Sequence, residues 1–402
     1  MNNFLKTYGT GVLLAATGVG AGDLITSGLA GINHGTSLVW ACILGAGLKY
    51  FLNEGIARYQ IATNQTLLQG WIYQITPAIK WPFLVYLIIW SYFVGGALIN
   101  ACGIAATNIY PVFDDRQNSQ ILYGIIHSLL GLIIVQKLSF KIIEKIMALL
   151  VFVMFCAVIL TALIVSSSSP LEFGHIFLPS ITKNNLAYVI AVIGGVGGTL
   201  TILSYSYWIM EKKVKGKKGL SQSRKDLKFS YFLTGLFSVA MIIIGSTIPP
   251  FSGDKSLFPV HISNIFFNLW GEVGRMIFLS GFWSGVFSSL LGVWQSVPYL
   301  FADFINASKK HTSSELSDKK AYENYGYFIA LVPITTLFLK FEAIQLAYAI
   351  IGAFFMPMVA LSLYILTTKK EMKSFVSTRV QKFIYIFIFL SFIFFSLFKF
   401  LK

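Results

Sequence analysis

An all-α, multi-pass membrane protein of about eleven spans, arranged as two inverted copies of about five helices each, is predicted by three features of the sequence. Of 402 residues, 56% are hydrophobic and only 12% charged, too little polar surface for a soluble globule of this length. Apolar runs long enough to cross a bilayer recur along the chain. Two of them are interrupted by glycine clusters, Gly18-Val19-Gly20-Ala21-Gly22-Asp23 and Gly194-Gly195-Val196-Gly197-Gly198-Thr199, at matching places in the two halves.

A helix needs roughly 20 residues to cross the hydrocarbon, and runs of that order centre on about 10–32, 36–59, 82–108, 119–136, 142–166, 186–210, 228–249, 274–302, 323–340, 343–367 and 381–400. The first is read as a retained span rather than a signal peptide, because it contains Asp23 and continues without a cleavage pattern. The whole chain reads as one membrane domain, with repeat one near 10–166, repeat two near 186–367 and an extra helix near 381–400.

Connector charge sets the orientation. With the N-terminus cytoplasmic, alternate connectors carry the lysines and arginines: Lys137, Lys141 and Lys145, then Lys212 to Lys228, then Lys309, Lys310, Lys319 and Lys320, then Lys369 to Lys382. The opposite connectors hold Asp114, Asp115, Arg116, Glu172, Lys183, Asp254 and Lys255. The expected placement is therefore a plasma or inner membrane, with the N-terminus inside and the C-terminus outside.

The net charge of +15 follows this topological pattern and forms no continuous basic domain, so nucleic-acid binding is not expected. Cys42, Cys102 and Cys156 lie in apolar runs without a C-x-x-C spacing. The histidines His34, His127, His175, His261 and His311 form no i, i+4 pair, so a zinc motif is absent. With no G-x-S-x-G, H-E-x-x-H or P-loop either, no enzyme and no cofactor is expected.

Glycine-loosened backbone frees carbonyl and amide groups that lipid cannot satisfy, so such stretches survive where they line a protein-enclosed cavity. The alternative is close helix packing of the small-x-x-x-small kind. Asp23 favours the cavity, since a carboxylate at mid-membrane costs at least about 2.5 kcal/mol and marks a functional site by default. Cation binding is the natural reason for it. Asp23 could instead cap the half-helix that restarts after the break, and both roles can coexist.

These residues resemble the Nramp family of divalent metal carriers. The first two spans, Gly9 to Trp71, lie on the family pattern without a gap, including Gly35-Thr36-Ser37-Leu38-Val39-Trp40. Leu279 to Phe304 is similar to its eighth span and Gln345 to Thr368 to its tenth. The resemblance implies a LeuT-type inverted-repeat fold, alternating access, and divalent cations such as Mn or Fe as cargo, commonly with protons. Two signature motifs differ. Gly20-Ala21-Gly22-Asp23 stands where the family has Asp-Pro-Gly-Asn, and Val196-Gly197-Gly198 stands where it has Met-Pro-His. Losing a thioether shifts the expected preference toward Mg or a hydrated, less selective divalent ion. Ala97 and Asn100 occupy the third span where the family carries proton-relaying acids, so weak proton coupling is expected.

The candidate substrate site comprises Asp23 as metal ligand, the backbone of Gly20, Gly22, Ile193, Gly194, Val196 and Gly197, and the hydroxyls of Thr17 and Thr199. Gln295 and Gln345 could add amide oxygens, or could make interhelical hydrogen bonds. Lys49, Asn53, Glu54 and Arg58 read as the cytoplasmic end of the second span, with Glu54 and Arg58 forming an interfacial pair that is structural or a gate. Asn100 is a candidate coupling residue. His127 is expected to be neutral and bonded to a neighbouring helix, with a proton shuttle as the alternative. The phenylalanine-rich last span should face lipid or pack on another protomer, in a monomer or a weak homo-oligomer. A small organic solute such as an amino acid or amine is the alternative cargo, because related folds hold carboxylates at half-helix N-termini.

Overall fold

A computed structural model describes residues 2–168, 179–250, 255–308 and 318–398, and among them every regular element is helical. His175, His311 and the connector residues Glu172, Asp254, Lys309 and Lys310 lie outside the described residues. The helices used below are α1 (Asn2–Gly18), α2 (Ser27–His34), α3 (Val39–Thr63), α4 (Lys80–Ile109), α5 (Arg116–Lys137), α6 (Phe140–Ser168), α7 (Leu186–Gly195), α8 (Ser204–Glu211), α9 (Gly216–Ser246), α10 (Phe258–Ser308), α11 (Lys319–Leu331), α12 (Phe341–Ala353), α13 (Phe355–Thr367) and α14 (Arg379–Phe398).

Among the described residues, 8 stretches are long and apolar enough to cross a membrane. Seven coincide with single expected spans. The first and second expected spans share the stretch Asp23–Thr63, within which a turn at Gly35 (φ +60°, ψ −148°) separates α2 from α3. The expected ninth span ends as a 3₁₀-helix, Val332–Phe338, after only α11. The last expected span is α14, whose end passes beyond the described residues. Large apolar side chains stand exposed on the outer faces, including Leu149, Phe152, Leu163, Val273, Phe383 and Phe394, as a lipid-facing belt requires.

The two halves clasp each other. The interrupted first span, α1 with α2, packs on α9, the second helix of repeat two. The interrupted sixth span, α7 with α8, packs on α3, the second helix of repeat one. Outside this pair of clasps, α4, α5, α6 and α10 form a surrounding frame, with α10 against both α4 and α6. Within α10 the backbone leaves helical geometry at Trp270 and Gly271, so a short leading helix precedes the eighth span proper.

The two interruptions differ in kind. The sixth span breaks outright. Val196 is extended (φ −52°, ψ 123°), Gly197 and Gly198 take φ of +70° and +88°, and a short 3₁₀-helix, Leu200–Leu203, restarts the chain toward α8. The first span is only loosened, into a π-helical stretch, Val19–Thr26, with Gly20 alone leaving helical geometry (ψ −106°).

Candidate functional site

The breaks meet at the centre of the bundle. A Cβ built on Gly18 would lie 2.7 Å from the carbonyl carbon of Gly197, so side chains are excluded where the two chains touch. At Gly197 a side chain would meet the Tyr231 ring at 2.7 Å, and its positive φ is one that L-residues rarely adopt.

Breaking the sixth span strands carbonyls that an intact helix would pair, and a buried orphan carbonyl must find another donor. That donor is Lys49. From α3 its ammonium donates to the carbonyl oxygens of Gly194 and Val196, each at 2.5 Å, and to that of Gly198. Three N–H donors meet three acceptors, so the head group is fully satisfied. Its surroundings exclude water, with Lys49 only 1% exposed and Asp23 0%.

Asp23 faces the same break from the first span. Its carboxylate accepts the Gly197 backbone N–H at 3.0 and 3.2 Å and the Ser238 hydroxyl at 2.5 Å. The polar inserts obey the inverted pattern. Lys49, on the second helix of repeat one, serves the break in repeat two, and Ser238, on the second helix of repeat two, serves the acid in repeat one. The freed carbonyl of Thr17 accepts from Ser289 at 2.5 Å, and Thr199 Oγ1 accepts the Trp90 indole N–H at 2.8 Å.

The site thus unites Asp23, Gly194, Val196, Gly197 and Thr199 among the expected residues. Gly20 lies beside it, where a Cβ would meet Ser289 at 2.2 Å, and Gly22 falls within the π-helical stretch. Ile193 stays outside, because its carbonyl faces Gly45 of α3; the carbonyls of Val196 and Gly198 join that of Gly194 instead. The Thr17 hydroxyl turns back to the Leu13 carbonyl at 2.7 Å. Gln295 uses its amide oxygen to accept the Trp208 indole at 2.9 Å. Gln345 donates to the Ala97 carbonyl at 2.9 Å, leaving its buried amide oxygen without a hydrogen-bond partner.

Lys49 is the correction to the sequence reading, which set it at the cytoplasmic end of its span. The available signal was its place inside the apolar run near 36–59, and an ionisable residue there is a functional hypothesis by default. Glu54 and Arg58 do pair, at 2.6 Å, and the pair is buried rather than interfacial. Glu54 also binds Arg224 at 2.8 Å and Gln381 at 3.0 Å, tying α3 to α9 and α14. His127 Nδ1 bonds the Tyr123 carbonyl at 2.7 Å, and its Nε2 lies 2.7 Å from the Trp283 indole N–H. That indole can only donate, so Nε2 is unprotonated and the ring is the neutral tautomer that carries its proton on Nδ1.

Two acids unremarked in the sequence complete the polar skeleton. Asp303 accepts from Thr66 at 2.5 Å, Gln69 at 2.7 Å and Tyr207 at 2.8 Å. Asp226 accepts the Gly11 N–H and the Tyr205 hydroxyl, both at 2.9 Å, and Lys212 pairs with Glu144 at 2.7 Å nearby. These contacts brace the side that carries the basic connectors. Toward the opposite connectors a cavity of about 500 Å³ opens between Asn100, Asp115, Arg116, Gln120 and Phe341. Among the described residues, no group of three His, Cys, Asp or Glu side chains converges as a metal cluster.

Comparison with known proteins agrees with this architecture. Structures of the Eremococcus coleocola manganese transporter superpose with a TM-score of 0.75 for one mutant and 0.72 for a complex with an aromatic bis-isothiourea compound, each at 16% identity over 96% of this chain and 85% of that one. MhsT in complex with L-phenylalanine gives 0.64 at 15% identity over 95% of this chain and 98% of that one. Identities this low establish the shared fold alone. No curated protein matches the sequence. The family model for Natural resistance-associated macrophage protein-like sequences matches residues 11–401. With that match spanning nearly the whole chain, this multi-pass membrane protein belongs to the Nramp family of transporters.

Proposed function

We propose that the chain is a secondary transporter or facilitator that moves divalent metal cations by alternating access, accepting harder ions such as Mg as well as Mn or Fe. The observation that carries this reading is the ring of freed carbonyls at Gly194, Val196 and Gly198 beside the Asp23 carboxylate, a cage built to hold a positive charge. All its ligating atoms are oxygens, which suits hard cations. The Nramp membership of the chain and its structural likeness to a manganese transporter support the divalent class.

Weak proton coupling is part of the proposal. Ala97 and Asn100 bring no acid to the third span, and both ring nitrogens of His127 are occupied. The basic connectors support a cytoplasmic N-terminus and an external C-terminus in a plasma or inner membrane. On this reading the braces at Asp303, Asp226 and Glu54 close the cytoplasmic side, the cavity beside Asn100 opens outward, and the chain works as a monomer or weak homo-oligomer.

Reconstituted protein should take up Mn²⁺ or Mg²⁺ with little lumenal acidification, and Asp23→Asn should abolish uptake. Uptake unaffected by that substitution, or tightly matched by proton flux, removes the corresponding part of the proposal. One observation favours a second cargo. Asp23 and Lys49 together leave the site without net charge, which suits a small organic solute such as an amino acid. Including amino acids and amines in the same uptake assay decides between the two.

A further inference from the structure

The transport proposal leaves the position of Lys49 unexplained. A lysine at mid-membrane usually snorkels its head group to the interface. Lys49 does the opposite, reaching from α3 so that its ammonium ends among the carbonyls of Gly194, Val196 and Gly198. It fills the cage that the preceding subsection assigns to the cargo.

We infer that the Lys49 ammonium is a tethered stand-in for the cargo cation, which holds the carbonyl cage together when no ion is bound and must withdraw before an ion can occupy it. The identity of the displaced cargo rests on the divalent-cation reading; the stand-in itself rests on geometry alone.

The first argument is one of satisfaction. Gly194, Val196 and Gly198 have lost their helical partners, and carbonyl groups left bare in a dry interior destabilise the fold. Such a cage could be satisfied by an ion or by water; here a side chain does it, with three donors for three acceptors.

The second argument is charge. Asp23 and Lys49 balance each other. A divalent ion seated beside both would leave the enclosed site with two uncompensated positive charges, and like charges at contact distance in a low dielectric repel far more strongly than a tenfold change in affinity represents. With Lys49 withdrawn, the same ion shares the cage with Asp23 alone.

The third argument is that a place to withdraw exists. Asn53 lies one turn along the same face of α3, and its Oδ1 is buried without a hydrogen-bond partner while its Nδ2 donates to Tyr231 at 3.1 Å. An ammonium leaving the cage finds there an acceptor otherwise unused.

The test uses the full chain in detergent, with Lys49→Ala and Lys49→Met variants. Lys49→Ala should lower the apparent Tm, and propylammonium, which replaces the missing stem and head group, should restore it where the uncharged isostere propanol does not. Lys49→Met should bind Mn²⁺ or Mg²⁺ at least about tenfold more tightly than the wild type. Unchanged Tm, equal rescue by propanol, or, where the wild type binds the ion, an unchanged affinity in Lys49→Met overturns the inference. Should neither variant fold, ¹⁵N-lysine NMR of the wild type decides it: the Lys49 ammonium resonance should move as Mg²⁺ saturates the protein, because the head group exchanges the carbonyl cage for another acceptor. An unmoved resonance at saturation overturns the stand-in while leaving the divalent cargo intact. Rescue of Lys49→Ala by propylammonium, with no divalent ion bound by any of the proteins, upholds the stand-in and removes the divalent cargo.

Discussion

Asp23→Ala removes the acceptor of the Gly197 N–H and of the Ser238 hydroxyl, and it strips the Lys49 ammonium of its opposite charge. A buried N–H left unpaired costs about 1–3 kcal/mol. Leaving a buried charge without its partner costs about 3–5 kcal/mol when the two are in salt-bridge contact and less for Asp23 and Lys49, which are not, and the figure already includes much of the first term. A loss of about 4 kcal/mol in a chain this large corresponds to a fall in Tm of roughly 5 °C. The second half of the prediction is sharper. If most of the loss is an uncompensated ammonium, then Asp23→Ala combined with Lys49→Met should be less destabilised than the sum of the single variants by about 1–3 kcal/mol. Thermal unfolding of purified protein, followed through a cysteine-reactive dye at one scan rate and in one detergent, gives all values on a common scale, the rate being fixed because such unfolding is irreversible. A Tm for Asp23→Ala within about 2 °C of the wild type, or strictly additive losses in the double variant, refutes the coupling.

Gly197→Ala should lose transport and about 1–3 kcal/mol of stability, because its φ is +70° and the new Cβ meets Tyr231 at 2.7 Å; the control Gly35→Ala, with φ of +60° and nothing within 4 Å, should lose stability by the backbone term only and keep transport. Asp303→Asn weakens charge-assisted bonds from Thr66, Gln69 and Tyr207 and should cost about 1–3 kcal/mol in the same unfolding assay, with protease accessibility rising in the turn Leu67–Gly70. His127→Gln should leave any pH dependence of uptake unchanged, since the imidazole bonds Tyr123 and Trp283 and has no nitrogen left to relay protons; a shifted profile would reinstate the shuttle.

Much of the fold was legible because burial in lipid is written into composition. Apolar runs and basic connectors mark the spans, and glycine clusters at 18–23 and 194–199 mark two stretches where the backbone departs from α-helix. Asp23 stood out because a lone mid-membrane acid has few innocent explanations. Lys49 escaped the same logic, since its neighbours Glu54 and Arg58 at helical spacing made the whole segment look interfacial. The contacts that bury it come from residues about 145 positions away in the chain, Gly194 among them. Gln295 and Gln345 show the same limit. A polar residue on a span announces that it needs partners, and only packing reveals that Trp208 and the Ala97 carbonyl are those partners. Nor does a glycine cluster say how the chain will use its freedom, which is why one cluster gives an open break and the other a widened helix.

The widened stretch at Val19–Thr26 has a mechanical corollary. A π-turn stores surplus residue length inside a continuous rod, and each residue in an α-helix advances the azimuth by roughly 100°. Letting that slack out, or shifting it along the rod, necessarily re-aims everything downstream. In this protein Asp23 lies within that stretch, so a shift of the slack would turn its carboxylate relative to the break in the sixth span.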